Sequence, residues 1–339
     1  MRRSNIGLSE VADWHNLAAA FYRAAKGARN RAAAESFRAN LDKNLAELRT
    51  EILSGEIRLG KMVSFTIRDP KTRLIHAPDF RERVLHHALM AHVGPILDRS
   101  LVDDTYACRK GLGVLAAVRR CRHHLQRFPY FVQIDIRSYF ASIDHDVLFL
   151  QLCRKFKNEG LLSLFRKLIG AFETAPGKGL PIGALTSQHF ANFYLSRMDR
   201  WLLMKPPVRA LVRYMDDLVW WTDDRNGARE KLDEARAFAK QELLLTIKNP
   251  PHLGRSRDGL VFCGYRILPG ALLLSRRKRK RYTERRRYWE KRYLKGEIGA
   301  SALQRNFASV FGMTCHADAN TWRREQLKKH PLEGSLNDL

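Results

Sequence analysis

The sequence predicts an α+β fold, in which helices pack beside short antiparallel strands. Apolar residues recur at three- and four-residue steps through residues 10–54, which is the spacing of amphipathic helices. Short β-prone runs meet at turn residues in 61–78 and again in 210–221, and each pair of runs predicts a β-hairpin. A run of apolar residues at 131–136 adds a buried strand.

The composition points to a polyanionic partner. The 339 residues include 61 Lys and Arg against 35 Asp and Glu, a net charge of +26. Nucleic acid is the leading candidate, and an anionic membrane surface is the alternative. No apolar run approaches the ~20 residues of a membrane span, and no apolar signal segment follows the N-terminus. We therefore expect a cytoplasmic protein without a membrane partner.

The five cysteines do not indicate a metal site or a disulfide framework. They are irregularly spaced and form no CxxC pair, so reduced thiols are expected. Cys121 lies near His123 and His124, but a second pair of zinc ligands is missing at any usual spacing.

The first strand pair, predicted at 61–67 and 73–77, carries many basic residues. Asp69, Pro70 and Lys71 are turn formers between the two strands. Arg73 and its basic neighbours can bind phosphates through charge-assisted hydrogen bonds, or they can form a solvated face. A helix is predicted over 80–93.

A second basic segment lies at 102–118. Arg109 and Lys110 precede Gly111 and Gly113, and such a turn can approach a nucleic-acid backbone closely. The spacing is not that of a Walker phosphate loop. A basic helix is predicted over 114–125.

The strand at 131–136 contains a carboxylate, Asp135. An Asp within a Val- and Ile-rich strand is costly unless it is paired or binds a cation. Ser142 or Asp144 is expected to cap a helix that begins at 145, and another helix is predicted over 161–172.

A glycine-rich loop at 177–188 leads into a predicted helix that runs to about 204. Thr186 or Ser187 is the expected N-cap. A helix N-terminus behind such a loop can bind an anion, although this segment taken alone favours an ordinary connecting loop.

Two adjacent carboxylates, Asp216 and Asp217, stand at the bend of the hairpin at 210–221. A plain turn also explains them, since Asp tolerates turn geometry. A helix at 226–245, a short strand at 246–248 and a hairpin at 260–268 follow. Pro269 and Gly270 mark a predicted subdomain boundary.

The C-terminal part is strongly basic. Residues 276–292 hold eleven cations against two Glu, with Tyr282, Tyr288 and Trp289 interleaved. Cations that follow phosphates and aromatic rings that stack on bases suit a nucleic acid, and a solvated basic face is the alternative.

The carboxylates can form a single site if the hairpin lies beside the strand that contains Asp135. Asp135 and Asp216, 81 residues apart, can then hold two Mg²⁺ ions, with Mn²⁺ as a possible substitute. Two such ions stabilise both the attacking and the leaving oxygen of an in-line phosphoryl transfer. Since neighbouring strand residues point to opposite faces, Asp217 is expected to contact a metal less directly.

These motifs, in this order, resemble those of reverse transcriptases, and the resemblance covers about residues 60–330. It implies a right-hand polymerase with fingers, palm and thumb, acting as an RNA-directed DNA polymerase. The divisions it implies are an N-terminal helical extension at 1–60, fingers at 61–130 with a contribution from 150–185, a palm at 131–268, and a thumb with a tail at 269–339.

The resemblance also implies roles for single residues. Asp135, Asp216 and Asp217 match the metal-binding triad, with the Ile136 backbone beside it, and Lys248 matches a lysine near the pyrophosphate. Phe140 matches the aromatic side chain that excludes a ribose 2′-hydroxyl. The remaining nucleotide-binding candidates are Arg73, Ile182, Gly183 and Gln188. The candidates for primer and template contact are Arg109, Lys110, Tyr214, Met215, Cys263, Gly264, Tyr265, Arg285 and Arg286.

The stretch Leu-Pro-Ile-Gly-x-Leu-Thr-Ser-Gln around Ile182 is similar to reverse transcriptases of diversity-generating retroelements. That subtype implies copying of a template-repeat RNA, errors opposite adenine and retrohoming of the cDNA. It implies template RNA, a DNA or RNA primer, dNTPs and a small basic accessory protein oligomer as partners. The open alternatives are a retron or group II intron-like enzyme, an RNA-dependent RNA polymerase, and a non-catalytic RNA-binding protein on a polymerase scaffold. We expect no nuclease or RNase H domain.

Overall fold

The computed structural model describes residues 3–26, 31–68, 72–204 and 206–332. The predicted turn at Asp69, Pro70 and Lys71 lies outside these residues. The expected helices of residues 10–54 are confirmed. They are α1 (Leu8–Val11), α2 (Trp14–Ala25), α3 (Arg31–Ala39) and α4 (Leu41–Ser54).

The predicted N-terminal hairpin forms an isolated two-stranded sheet. Strands β1 (Val63–Arg68) and β2 (Thr72–Ala77) pair antiparallel, and most of their residues are exposed. A long helix, α5 (Phe80–Asp98), follows and continues past the predicted end at 93. The aromatic rings of Phe21 and Phe80 join the N-terminal helices to α5.

The central sheet has four antiparallel strands in the order β4-β5-β3-β6. Its strands are β3 (Tyr130–Ile134), β4 (Ala210–Tyr214), β5 (Asp217–Thr222) and β6 (His252–Arg255). The hairpin β4–β5 lies directly beside β3, so the condition for bringing Asp135 to the second pair of carboxylates is met. The short strand predicted at 246–248 is wrong, because only a single bridge joins Ile136 to Ile247.

Helices surround this sheet. They are α6 (Val114–Arg127), α7 (Tyr139–Ser142), α8 (His145–Cys153), α9 (Glu159–Gly170), α10 (Leu185–Tyr194), α11 (Ser196–Met204) and α12 (Arg225–Glu242). Asp144 caps α8 by accepting from Asp146 N and Val147 N, so one of the two expected caps is confirmed.

The helix expected to run to about 204 is two helices, α10 and α11, and its predicted caps are wrong. The N-cap of α10 is Ala184, without a side-chain hydrogen bond. Thr186 and Ser187 are the buried second and third residues of the helix, so neither occupies the N-cap position.

A three-stranded sheet leads into the C-terminal helices. Strands β7 (Leu260–Phe262), β8 (Tyr265–Ile267) and β9 (Leu272–Leu274) are antiparallel neighbours. The turn at Pro269 and Gly270 joins two paired strands, so the sheet extends across the predicted boundary. The helices that follow are α13 (Arg276–Leu294), α14 (Ala300–Gly312) and α15 (Asn320–Lys329).

The core follows the two-residue alternation of the central sheet. Trp220 joins the cluster formed with the N-terminal helices and α10. Trp221, its neighbour in β5, joins the opposite cluster with α6 and the three-stranded sheet. Both faces of the sheet are therefore covered by apolar packing. Among the described residues, no helix combines the length and apolarity needed to cross a bilayer.

Candidate active site

The site is built on the turn between β4 and β5. Tyr214 pairs with Asp217, which leaves Met215 and Asp216 as the two turn residues. Met215 lies at φ +57°, in the left-handed region that non-glycine residues rarely adopt. The turn therefore depends on supporting contacts from the surrounding structure.

Arg213 supplies that support from beneath the turn. Its guanidinium is fully buried and donates to the carbonyl oxygen of Met215 at 2.9 Å. The charge is balanced by Asp199, which is equally buried, at 2.6 Å. Two further bonds reach the side-chain and backbone oxygens of Asn192, at 2.8 and 2.9 Å. The turn is thus hydrogen-bonded to a buried polar network on α10 and α11.

Asp135, Asp216 and Asp217 line the same cavity. Asp135 directly follows β3, and the three carboxylates line a concavity of about 420 Å³ together with Arg73 and Lys248. Burial raises the pKa of Asp216 to about 6, and the nearby Asp135 carboxylate adds to the rise. Arg73 acts in the opposite direction through its positive charge. The cavity therefore concentrates negative charge that a cation can neutralise.

Asp217 is held differently from its neighbour. Its Oδ1 accepts a hydrogen bond from Gln133 Nε2 at 2.9 Å. The same amide donates to the carbonyl oxygen of Val261 at 3.1 Å, which ties Asp217 to β7. Burial raises the pKa of Asp217 to about 7, although the bond from Gln133 lowers it.

Asp135, Asp216 and Asp217 line one cavity, but the described side chains are not gathered as a set of three metal ligands. In the part of the chain that the structure describes, no group of three or more His, Cys, Asp or Glu side chains is placed to hold a metal ion. Asp135 and Asp216 nevertheless fit a divalent cation, because the Asp135 carboxylate raises the cost of charging Asp216 in a partly buried cavity. Mg²⁺ binds through one or two carboxylates plus substrate phosphates. The Ile136 backbone is also compatible with contact to a metal ion. The bridge to Ile247 uses only the backbone oxygen of the neighbouring Asp135 and the backbone nitrogen of Arg137.

Lys248 lies at the rim of the cavity. Its backbone nitrogen donates to the Asp135 oxygen at 2.8 Å, and its Nζ lies 3.4 Å from Asp135 Oδ2. Both side chains are about half exposed, so solvent screens this ion pair strongly. The ammonium group can therefore exchange its partner for a phosphate at little cost.

The glycine-rich loop is attached to the N-terminal hairpin. The Ile182 oxygen accepts from His76 N at 2.8 Å, and Leu180 N donates to the Phe140 oxygen at 2.8 Å. Gly183 has φ +132°, and a Cβ there would lie 2.8 Å from Ile75 Cγ2. Glycine is required at this close approach. Ile182 is half-buried, and Gln188, one turn into α10, is exposed.

The turn between β7 and β8 lies near Asp217. Cys263 and Gly264 form it, both with positive φ, and Phe262 pairs with Tyr265. Burial raises the pKa of the Cys263 thiol, and the Asp217 carboxylate adds to the effect. Lys278 of α13 places its Nζ 3.4 Å from the centre of the Tyr265 ring, which joins this turn to the C-terminal helices.

Two of the arginines expected to contact primer and template have protein partners instead. Arg109 donates to Asp98 Oδ1 at 2.7 Å and to the Val102 and Thr105 oxygens at 3.0 Å. Arg286 is 2% exposed and bonds to Glu290, Gln326 and His330, so it fastens α13 to α15. Both expectations are corrected, because these donors already satisfy the protein's own acceptors. Lys110 and Arg285 are exposed.

Sequence reasoning missed Gln133, Arg213, Asn192 and Asp199. Gln133 was detectable, because it lies two residues before Asp135 and therefore on the same face of the strand. Arg213, Asn192 and Asp199 gave no local signal, since their partners come from three different elements.

The raised pKa values predict the pH dependence of stability in metal-free protein. A carboxyl whose pKa rises from 3.8 to about 6 or 7 on folding binds its proton more tightly in the folded state. Its contribution to the free energy of unfolding is fully present below the pKa that it has in the unfolded state. That contribution is lost as the pH rises through the pKa that it has in the folded state. We expect the free energy of unfolding in EDTA to fall between about pH 4 and pH 7, and Asp216→Asn to flatten the fall. Urea unfolding across this range checks it, and parallel curves for the two proteins would contradict it.

Comparison with known proteins gives a family match. The family described as "Reverse transcriptase (RNA-dependent DNA polymerase)" matches residues 67–249, more than half of the chain. The match includes Arg73, Asp135, Gly183, Asp216 and Lys248, the residues that surround or adjoin the carboxylate cavity.

Curated relatives are distant in sequence. Protein YkfC of Escherichia coli K12 is 26% identical over 73% of this chain and 75% of its own length. The putative COX1/OXI3 intron 1 protein of Saccharomyces cerevisiae is 24% identical over 47% of this chain. The group II intron-encoded protein LtrA of Lactococcus lactis is 24% identical over 39% of it. The chain spans only 20% and 23% of the length of these last two relatives.

Among solved structures, apo telomerase from Candida tropicalis matches with a TM-score of 0.50. The identity is 11%, and the match covers 86% of this chain and 64% of that one. At this identity the similarity concerns the fold alone. It confirms the predicted right-hand polymerase architecture of helices and antiparallel sheet.

Proposed function

Because this chain belongs to the reverse transcriptase (RNA-dependent DNA polymerase) family, we propose that it extends a primer by copying RNA into DNA. The observation that carries the proposal is the meeting of Asp135 and Asp216 in one cavity with Arg73 and Lys248. Carboxylates that bind divalent ions, next to cations that bind phosphates, are the groups that nucleotidyl transfer requires.

Each side chain of the cavity has a task in this reaction. Asp135 and Asp216, with Asp217 beside them, would hold the divalent ions, Mg²⁺ by preference, which would stabilise negative charge on the attacking and leaving oxygens. Arg73 and Lys248 orient the triphosphate of the incoming nucleotide from the two sides of the cavity. Phe140, whose backbone oxygen accepts from Leu180 N of the glycine-rich loop, would exclude a ribose 2′-hydroxyl with its ring in this proposal.

The rest of the molecule receives the primer and template in this proposal. The β1–β2 hairpin belongs to the fingers, the central sheet to the palm and α13–α15 to the thumb. The turn at Cys263 and Gly264 supports the primer next to Asp217. The eleven cations of residues 276–292 supply affinity for the phosphate backbone, apart from Arg286, which is used in packing.

Nucleotide and template selectivity test the proposal. A DNA primer annealed to RNA is extended with dNTPs or with NTPs, and the same primer is used on a DNA template of equal sequence. We expect faster extension with dNTPs, and extension on the RNA template. Faster extension with NTPs would assign the chain to RNA synthesis instead.

Within this function, we propose that the chain serves a diversity-generating retroelement. The segment from Leu180 to Gln188 supports the proposal, since Ile182 stands where most reverse transcriptases carry Gln. The enzyme would then copy a template-repeat RNA, with errors opposite adenine, for mutagenic retrohoming. It would work with a small basic accessory protein oligomer.

The identity of residue 182 predicts the fidelity. An apolar side chain cannot make the hydrogen bonds that Gln would make to nucleotide or template, so correct and incorrect pairs are held less differently. We expect Ile182→Gln to lower misincorporation opposite adenine by about tenfold, a difference of about 1.4 kcal/mol in discrimination. Steady-state single-nucleotide insertion measures it. Ile182→Leu is the matched control, and equal fidelity of Ile182→Gln and wild type would refute the explanation.

A group II intron-type enzyme is the second candidate, favoured by the similarity to LtrA. The two candidates differ in their expected template. A near-duplicate repeat pair that differs at adenines, in the DNA beside the gene, would favour the retroelement. An intron that contains the gene would favour the second candidate.

A further inference from the structure

A groove leads away from the carboxylate cavity along β6. The cavity of about 420 Å³ ends at His252, and His252 also lines the next concavity, of about 310 Å³. That one shares Tyr130 and Arg255 with a third concavity, of about 610 Å³, which reaches Pro269. Because β6 is the edge strand of the central sheet, no further strand covers the groove.

The groove has a definite length and direction. Tyr130 pairs with Arg255 at the start of β3, and Asp135 follows five residues later. At about 3.3 Å per residue, the far concavity begins about 17 Å from the carboxylates. This distance is longer than the carboxylate cavity, which would hold a single nucleotide.

Positive charge is concentrated in the outer part of the groove. Arg127, Arg225, Arg255 and Arg257 line the two outer concavities, and the acid among their lining residues is Asp258. Arg257 lies 3.8 Å from Asp258. The guanidinium groups of Arg225 and Arg255 make no ion pair or hydrogen bond within the described ranges. Their charges are therefore available to an external anion.

Aromatic rings and an unpartnered hydroxyl accompany these charges. Tyr130 and Phe128 line the third concavity, and the Arg127 guanidinium lies 6.0 Å from the centre of the Phe128 ring. Ser256 lines the same concavity, is 2% exposed, and its Oγ has no hydrogen-bond partner among the described residues. A buried hydroxyl left unpaired is costly, so a polar ligand at this place would be favoured.

We propose that this groove binds a single-stranded segment of RNA continuous with the template in the cleft. Arginines gathered at the far end of the groove can bind phosphates of a strand that leaves the cleft, and the rings beside them offer stacking surfaces for bases, as in other single-strand sites. A strand that begins at the carboxylates reaches these arginines over about 17 Å, which a single nucleotide does not span. The RNA class of this ligand rests on the proposed function, whereas the groove and its charges do not.

The test uses RNA–DNA template–primer duplexes with and without a single-stranded RNA extension of about ten nucleotides. The extension is placed at one template end or at the other. Fluorescence anisotropy gives their affinities. The host protein is Asp216→Asn, so that binding is read without synthesis and independently of whether the chain polymerises. Arg225→Ala/Arg255→Ala is compared with Arg49→Ala/Arg229→Ala, which removes the same charge from exposed positions that do not line the groove.

We expect the extension to tighten binding by the host and by the control at least threefold, on the order of one phosphate contact or more. The groove variant is expected to lose this gain, and its salt slope to fall by about 1.4, which is ~0.7 for each arginine. A 4-thiouridine in the extension is expected to cross-link to the peptide that contains Phe128 and Tyr130. If the extension tightened binding equally in the groove variant and the control, and that cross-link did not form, RNA occupancy of the groove would be overturned. The groove would then be assigned to a protein partner.

Discussion

Replacing Asp216 by alanine is expected to lower primer extension by at least about a thousandfold while RNA affinity stays within about twofold. Asp216 is the turn carboxylate that lines the cavity with Asp135, and its loss removes one of the carboxylates that would hold the divalent ions. A metal ion contributes several kcal/mol of transition-state stabilisation in such reactions. Affinity for RNA comes instead from the excess of Lys and Arg over the whole chain.

Single-turnover extension and filter binding measure the two effects separately. Asp216→Asn keeps the shape of the side chain and is expected to fail in the same way, because the amide lacks the charge. Asp233→Ala removes an exposed carboxylate from α12 and serves as the matched control. Wild-type extension by Asp216→Ala would refute the assignment of the site.

Arg213→Met is expected to have the second largest effect, on stability and synthesis together. It removes the cation of a fully buried ion pair and leaves the Asp199 carboxylate without its partner. Such a loss costs about 3–5 kcal/mol. It also removes the hydrogen bond to the Met215 oxygen, so the strained turn no longer holds Asp216 in place. Denaturant unfolding and kcat of the folded fraction at low temperature measure the two consequences.

A double variant separates packing from positioning. Arg213→Met/Asp199→Leu removes both charges, and we expect it to recover most of the lost stability. It cannot restore the bond to Met215, so kcat should remain low. If kcat returned together with stability, Arg213 would act only through folding and not through the turn.

Much of the site could be predicted because its signals are local. The alternation of β3 places a carboxylate at the end of a buried strand, and the paired runs around Asp216 predict the hairpin that the structure confirms. Both signals depend only on neighbours in sequence. The close approach of Gly183 to β2 was not predictable, since it depends on where the hairpin lies in space.

Other features depend on partners that are distant in sequence. Arg213 lies in an otherwise apolar strand, and only the fold brings Asp199 and Asn192 to it. Arg286 is one of eleven cations in its segment, but its hydrogen bonds to residues 326 and 330 distinguish it from those that face solvent. The hydrogen bond from Gln133 to Asp217 has the same cause, because it joins two neighbouring strands.

The most direct test of the account is extension of a DNA primer on a heteropolymeric RNA template by the purified wild-type protein. The reaction contains dNTPs and Mg²⁺, with and without EDTA, and the product is sequenced. We expect Mg²⁺-dependent synthesis of DNA complementary to the template, by the protein alone or with an accessory partner. Salt-sensitive RNA binding without any extension in either setting would contradict it and indicate a non-catalytic RNA-binding protein on a polymerase scaffold.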